Sequence, residues 1–369
     1  MADPRVDQLA RILVEYCTRI QPGDRVIIEA EIAAEPLIQA LQNRILDAGG
    51  YPEQLLMLPD QKADFVRRAN QVQLDFTPSL QRYAYEQFEA RIRIHSESNT
   101  MSMSNIDHAR VARWRAAREP ILATQMARGA RGELRWVTTL FPTQGYAQQA
   151  EMSLPEYEDF VFRACHVDDP AMDAVQHWLD VKQKQAGIVA ALEGHDAVQV
   201  RGENCDLRLS VKGRAFMNSH GRFNMPDGEV YTGPVEESVE GWVRFTYPAI
   251  WQGRSVEGLE LRFEGGKVTT ATAQKGQDFL LQTLNTDAGA RYLGEFAIGM
   301  NYGIDRFTGN ILFDEKIGGT FHIALGSGYP ETGSKNKSAI HWDLIHDLGE
   351  EGQIWLDGDL IYTSGRFRI

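Results

Sequence analysis

Positive charge is scarce in this chain. Thirty-eight lysines and arginines face 51 aspartates and glutamates across 369 residues, a formal net charge of −13. A chain that acidic lacks the field that nucleic acid or an anionic membrane surface requires, so neither is expected as a partner. The arginine-rich stretch Arg110–Arg118 around Trp114 has the spacing of one solvated helix face. Cysteine is scarcer still: Cys17, Cys165 and Cys205 lie far apart and include no CxxC pair. They cannot form a disulfide framework, which fits a reducing cytoplasm. No apolar run approaches the roughly 18 residues that span a bilayer. The start, Met1-Ala2-Asp3-Pro4-Arg5, lacks the basic and then apolar pattern of a secretory signal. A cytoplasmic location is therefore expected. Also missing are an HExxH helix, a GxxxxGK[ST] phosphate loop and a GxSxG elbow. Gly326-Ser327-Gly328 begins like a dinucleotide loop, but Glu331 stands where the third glycine belongs.

What is present is the composition of a folded globular protein, long enough for about two domains. The first half alternates helical and strand patterns. Val6, Leu9, Ala10, Leu13, Val14 and Cys17 recur at helical steps until Pro22-Gly23-Asp24, and Val26-Ile27-Ile28 then reads as a strand. A second helix carries Leu37, Leu41 and Ile45 inward and ends at Gly49-Gly50; further strands fall at Leu55–Met57, Ala90–Ile94 and Leu134–Thr138. This alternation predicts an α/β domain with a mostly parallel sheet, over residues 1–190. Ser96–Asn105 is a polar loop within it. Beyond it, Cys205–Val211 and Leu259–Phe263 alternate apolar and polar residues, and Asp357-Gly358 is a two-residue hairpin signal. With one clear helix near 276–286, residues 191–369 are expected to form an antiparallel β-rich (α+β) domain.

Chemistry-bearing residues gather in that second half. Ile340–Leu344 reads as a strand, so His341 and Asp343 project from the same face, an imidazole beside a carboxylate. That is half of a divalent-metal site, or else a hydrogen bond closing a sheet edge. His322 lies among apolar residues in Thr320–Leu325, as a core histidine would. Glu295 sits inside the apolar, glycine-containing segment Leu293–Gly299, where a carboxylate is costly to bury unless paired or bound to metal. Glu229 follows the turn Pro226-Asp227-Gly228 and has the look of a strand start. Taken one at a time these are ordinary. Together they supply the three carboxylates and two imidazoles that a pair of hydrolytic metal ions needs.

Several ordered motifs then resemble one family. Leu293-Gly294-Glu295 through Asn301, His322-Ile323-Ala324-Leu325-Gly326 with Tyr329-Pro330, His341-x-Asp343, and Met225–Thr232 resemble the M29 metallo-aminopeptidases of the aminopeptidase T type. The likeness runs over nearly the whole chain, including Pro22-Gly23-Asp24 and Glu151–Phe160. It implies metal ligation by Glu229, Glu295, His322, His341 and Asp343, with Tyr329 as a ligand or a transition-state contact. It implies two divalent cations (zinc, cobalt or manganese) and an activated water between them. Glu295 or Glu315 would be the general base. It further implies a homodimer, a catalytic domain at 191–369 partly covered by the domain at 1–190, and peptide substrates with a free N-terminus. Two departures stand out. Many members carry a glutamate five residues before the first histidine, where this chain has Ile317, with Glu315 two residues earlier. The segment between Tyr329 and His341 is also shorter than in some members. Another metal-dependent amidohydrolase or deacylase, and a non-catalytic binding protein with a structural His/Glu cluster, are the alternatives.

Overall fold

Short apolar runs flanked by turn residues in the first half give rise to four parallel strands: β1 (Arg25–Glu31), β2 (Tyr51–Met57), β3 (Ala90–His95) and β4 (Arg135–Leu140). The computed structural model describes residues 3–369. It divides into two compact units, Met1–Trp178 with Gly221–Pro226, and Leu179–His220 with Asp227–Ile369. In the first unit a fifth strand, β5 (Asn224–Met225), joins the sheet to give the order β2-β1-β3-β4-β5. Every pairing is parallel, so a sheet expected to be mostly parallel is parallel throughout. The helix Glu35–Asp47 buries Leu37, Ile38, Leu41 and Ile45. Just past its end Gly49 takes φ +78°, the left-handed conformation glycine adopts without strain.

The second unit is antiparallel. One sheet has eight strands between Ala197 and Phe367. Its Gln353–Leu356 and Asp359–Thr363 strands meet at the expected hairpin, where Asp357 (φ 50°) and Gly358 (φ 97°) form the two-residue turn. The other sheet contains β6 (Glu229–Thr232), β7 (Leu293–Gly299), β8 (Thr320–Gly326) and β9 (His341–Asp347). They lie in the order β9-β8-β7-β6, with the short strand Met217–Ser219 beyond β6. The helix Gln277–Leu284 contributes Phe279, Leu280 and Leu284 to a core shared with Leu207, Leu261 and Ile354 of the eight-stranded sheet and Phe296, Phe321 and Leu344 of the smaller one.

A candidate metal centre on one face of the smaller sheet

Strand periodicity assembles the site. On β8 His322 alternates with Phe321 and Ile323, which face the core. Register carries that face across neighbouring strands. Ala297 of β7 pairs with His322 and Glu295 with Ala324; Ala324 also pairs with Asp343 of β9, and Gly326 with His341. Beyond β7, Gly299 pairs with Glu229 of β6 and Ala297 with Tyr231. Glu229, Glu295, His322, His341 and Asp343 therefore project from one face of four adjacent strands. Positions 297, 299, 324 and 326 on that face carry no side chain larger than a methyl group, which leaves room between the charged groups. A bulge between Leu293 and Glu295 aims the glutamate, and Gly294 permits it: a Cβ there would lie 2.3 Å from the Ser327 carbonyl oxygen.

The side chains converge. His341 Nε2 lies 3.2 Å from Glu295 Oε2 and 3.3 Å from Asp343 Oδ1. His322 Nε2 lies 3.6 Å from Glu229 Oε2 and 3.8 Å from Glu295 Oε1. Glu295 thus presents one oxygen to each histidine. His341 Nδ1 is 2.7 Å from the Ser327 carbonyl; donating there fixes the tautomer and leaves Nε2 on the side of Glu295 and Asp343. The Tyr329 hydroxyl is 3.5 Å from the same Nε2. Burial holds the phenol well above its ordinary range, and Glu295 and Asp343 add to this. Burial opposes charge on both histidines, yet the carboxylates outweigh it: Glu295 and Glu229 raise His322 to about 9, and Asp343 and then Glu295 raise His341 to about 12.

Glu315 joins them. It reaches ligand distance with His322 and Asp343, while Glu295, His341 and Asp343 form a second such set; within each set the ligand atoms lie within 4.8 Å of one another. Asp343 belongs to both. The short helix Ile311–Asp314 leads into this loop, and Ile317 bridges to Asn301. Gly299 allows the close approach, since a Cβ there would stand 2.2 Å from the Ile317 carbonyl oxygen. Lys316, wholly buried, is ion-paired with Glu315 and lies 3.6 Å from Glu229 Oε1. Neither the ligand distance of Glu315 nor the presence of Lys316 was foreseen. The signal was the charged trio Asp314-Glu315-Lys316 ahead of Gly318-Gly319, a stretch too polar for a strand and too short for a surface helix. Gln185, whose Nε2 donates to the Glu229 carbonyl at 3.0 Å, steadies the start of β6 and left no trace in the sequence.

The donor set fits divalent cations. Glu229 Oε2, Asp343 Oδ1 and His322 Nδ1 are buried without a hydrogen bond. Two overlapping sets of carboxylate and imidazole donors suit divalent cations. The model of the thermophilic metalloprotease family M29 matches residues 2–367. The chain belongs to that family. It is 26% identical to aminopeptidase 2 of Geobacillus stearothermophilus over 99% of this chain and 98% of that one. With aminopeptidase T of Thermus aquaticus it shares 27% identity over 96% and 94% of the two chains. Among solved structures, wild-type AmpT from Thermus thermophilus superposes with a TM-score of 0.87 at 23% identity, covering 99% of each chain. A 2,5-dihydroxypyridine dioxygenase from Pseudomonas putida has a TM-score of 0.60 at 14% identity, over 98% of this chain and 96% of that one. Those two likenesses concern the fold, which does not fix chemistry. As an M29 member the protein is a metal-dependent peptidase. No helix among the described residues is long and apolar enough to cross a membrane.

Proposed function

We propose that the protein is an aminopeptidase that releases N-terminal residues from peptides, using two divalent cations held by Glu229, Glu295, His322, His341 and Asp343, with Glu315 beside them as the general base. The observation that carries this reading is the gathering of these six side chains on one sheet face and its adjoining loop, with Asp343 common to both ligand sets. Asp343, common to both sets, would serve both ions. When bound, such ions acidify a water and polarise a carbonyl. Glu315 takes the proton of the attacking water: Lys316 anchors it, whereas both oxygens of Glu295 are engaged with histidines. Tyr329 donates a hydrogen bond to the carbonyl oxygen as negative charge develops there, and losing such a donor costs on the order of 10²–10³ in rate. The catalytic unit is Leu179–His220 with Asp227–Ile369. The protein is further read as a cytoplasmic homodimer. Three buried free cysteines suit a reducing compartment, and light scattering should return twice the mass of the chain.

Asp343→Asn tests the centre. It should abolish release of the first residue from a free peptide and lower the bound-metal content, with an unchanged circular dichroism spectrum. Normal turnover in this variant would remove Asp343 from the site. Glu315→Gln separates the roles: kcat should drop while metal content holds, and a loss of metal instead would make Glu315 a ligand only. Chelation should silence the wild type, and Co²⁺, Zn²⁺ or Mn²⁺ should restore it. N-acetylated peptides should resist cleavage. If they are hydrolysed as fast as free ones, the enzyme is an amidohydrolase of another specificity.

A further inference from the structure

The parallel sheet of the first unit carries a second set of charges that the peptidase reading does not use. Connections run from β1 to β2 on one side and onward through β3 to β4 on the other, so the chain reverses direction across the sheet between β1 and β3. In open sheets with this order, ligands bind in the crevice outside the carboxyl ends of the strands at that reversal. Here those ends are Glu31 on β1 and His95 on β3, followed by Ser96 and Glu97. Ser96, itself buried, clasps the two strands together: its hydroxyl accepts from the Glu31 N–H at 3.0 Å and donates to the Glu31 carbonyl at 3.2 Å.

One face of β1 and β3 carries a ladder of charge. Glu29 and Glu31 alternate along β1, and Arg91, Arg93 and His95 along β3, with Glu29 paired in register with Arg93. The inner rung is complete. Glu29 is ion-paired with Arg91 at 3.1 Å and Arg93 at 2.8 Å, and accepts from Tyr85 at 2.9 Å and Gln81 at 2.8 Å. The outer rung is not. Glu31 is 9% exposed, its Oε2 is buried without a hydrogen bond, and none of the ion pairs among the described residues includes it. His95, the residue opposite, turns instead to Glu97 at 3.7 Å, and Glu97 also accepts from the Tyr146 hydroxyl. Lys62 exerts a field on both carboxylates, but its Nζ sits 5.2 Å over the Trp114 ring. Burial, then Glu97 and Asp60, push the Glu31 carboxyl up to about 7 against the opposing pull of Lys62 and the Ser98 N–H.

We infer that the crevice at the carboxyl ends of β1 and β3 binds an alkylammonium group, with Glu31 as its counter-charge and Glu97 beside it. A primary ammonium carries three donors and one charge, enough to satisfy Glu31 Oε2. A metal ion is disfavoured, because among the described residues no three metal-ligating side chains come together there.

Titration of the metal-free, full-length chain with n-pentylammonium, followed by calorimetry, tests this. Saturable binding is expected, weakened at least ten-fold by Glu31→Gln and absent for n-pentanol. Asp343→Asn, in the other unit, should leave it unchanged. Lack of saturable binding, equal binding to Glu31→Gln, or binding lost in Asp343→Asn would each overturn the inference. None of these results bears on peptide hydrolysis. Should Glu31→Gln fail to fold, Glu97→Gln carries the same prediction. A blocked lysyl peptide run alongside separates the sources of the ammonium: tighter binding than pentylammonium assigns a peptide side chain, weaker binding a free amine, and both keep the site.

Discussion

Lys316 is the residue whose position says most about the metal centre. A lysine with no exposed surface is rare, and this one is tolerated because Glu315 and Glu229 flank it. Burial works against its charge, but the two carboxylates win and hold its ammonium above the ordinary range. Lys316→Met would leave the buried Glu229 and the half-buried Glu315 carboxylates without their shared cation. We expect the metal-free variant to lose about 3–5 kcal/mol in urea denaturation, the usual cost of removing one partner from a buried pair. Saturating Zn²⁺ should restore part of that loss by supplying charge to the same oxygens. A variant as stable as the wild type without metal would show that Glu229 and Glu315 do not depend on Lys316. How much of the site was legible follows the same divide. His341 and Asp343 could be read together because strand alternation relates residues two apart. Glu315 entered only through the family resemblance, because the loop that carries it obeys no period, and its place beside His322 and Asp343 comes from the fold.

At the scale of elements, glycine sets the distances. Gly299→Ala would drive a methyl group into the Ile317 carbonyl, pushing away the loop that bears Glu315 and Lys316. Overpacking of this kind costs roughly 1–3 kcal/mol, and the displaced Glu315 should lower peptide hydrolysis further than the stability loss explains. Denaturation and steady-state assays on one preparation separate the two effects. The hairpin at Asp357-Gly358 was readable from the dipeptide because both central residues need positive φ, which that pair tolerates. The same physics hides β5: two residues, Asn224 and Met225, carry no alternation, and their pairing with Thr138 and Thr139 is decided by tertiary placement.

For the whole molecule, acid should act on the two units in sequence. His346 is buried beside Phe321 with Nδ1 3.0 Å from the Arg244 carbonyl oxygen, and burial depresses it from 6.5 to about 4. Unfolded, it takes up a proton near pH 6.5; folded, it resists until about 4. Its contribution to stability is therefore complete above pH 6.5 and declines as pH falls toward 4. Glu29 behaves differently. Burial raises its carboxyl, but Arg93 and Arg91 pull it down to about 2, so its contribution persists above pH 4.5 and is lost only as pH falls toward 2. Thermal melts between pH 7 and 3 should show the second unit weakening first, and His346→Gln should flatten the slope between 6.5 and 4. An unchanged slope would place that sensitivity elsewhere.

The returning strand β5 has one more consequence. Its two residues complete the first unit's sheet, yet they are translated only after residues 179–220, which belong to the second. A polypeptide halted at Trp178 would expose the outer edge of β4, where unpaired amides and carbonyls invite another chain to stack on them. No single scissile position yields two self-sufficient halves, and the ribosome must start on one module before the other can be finished.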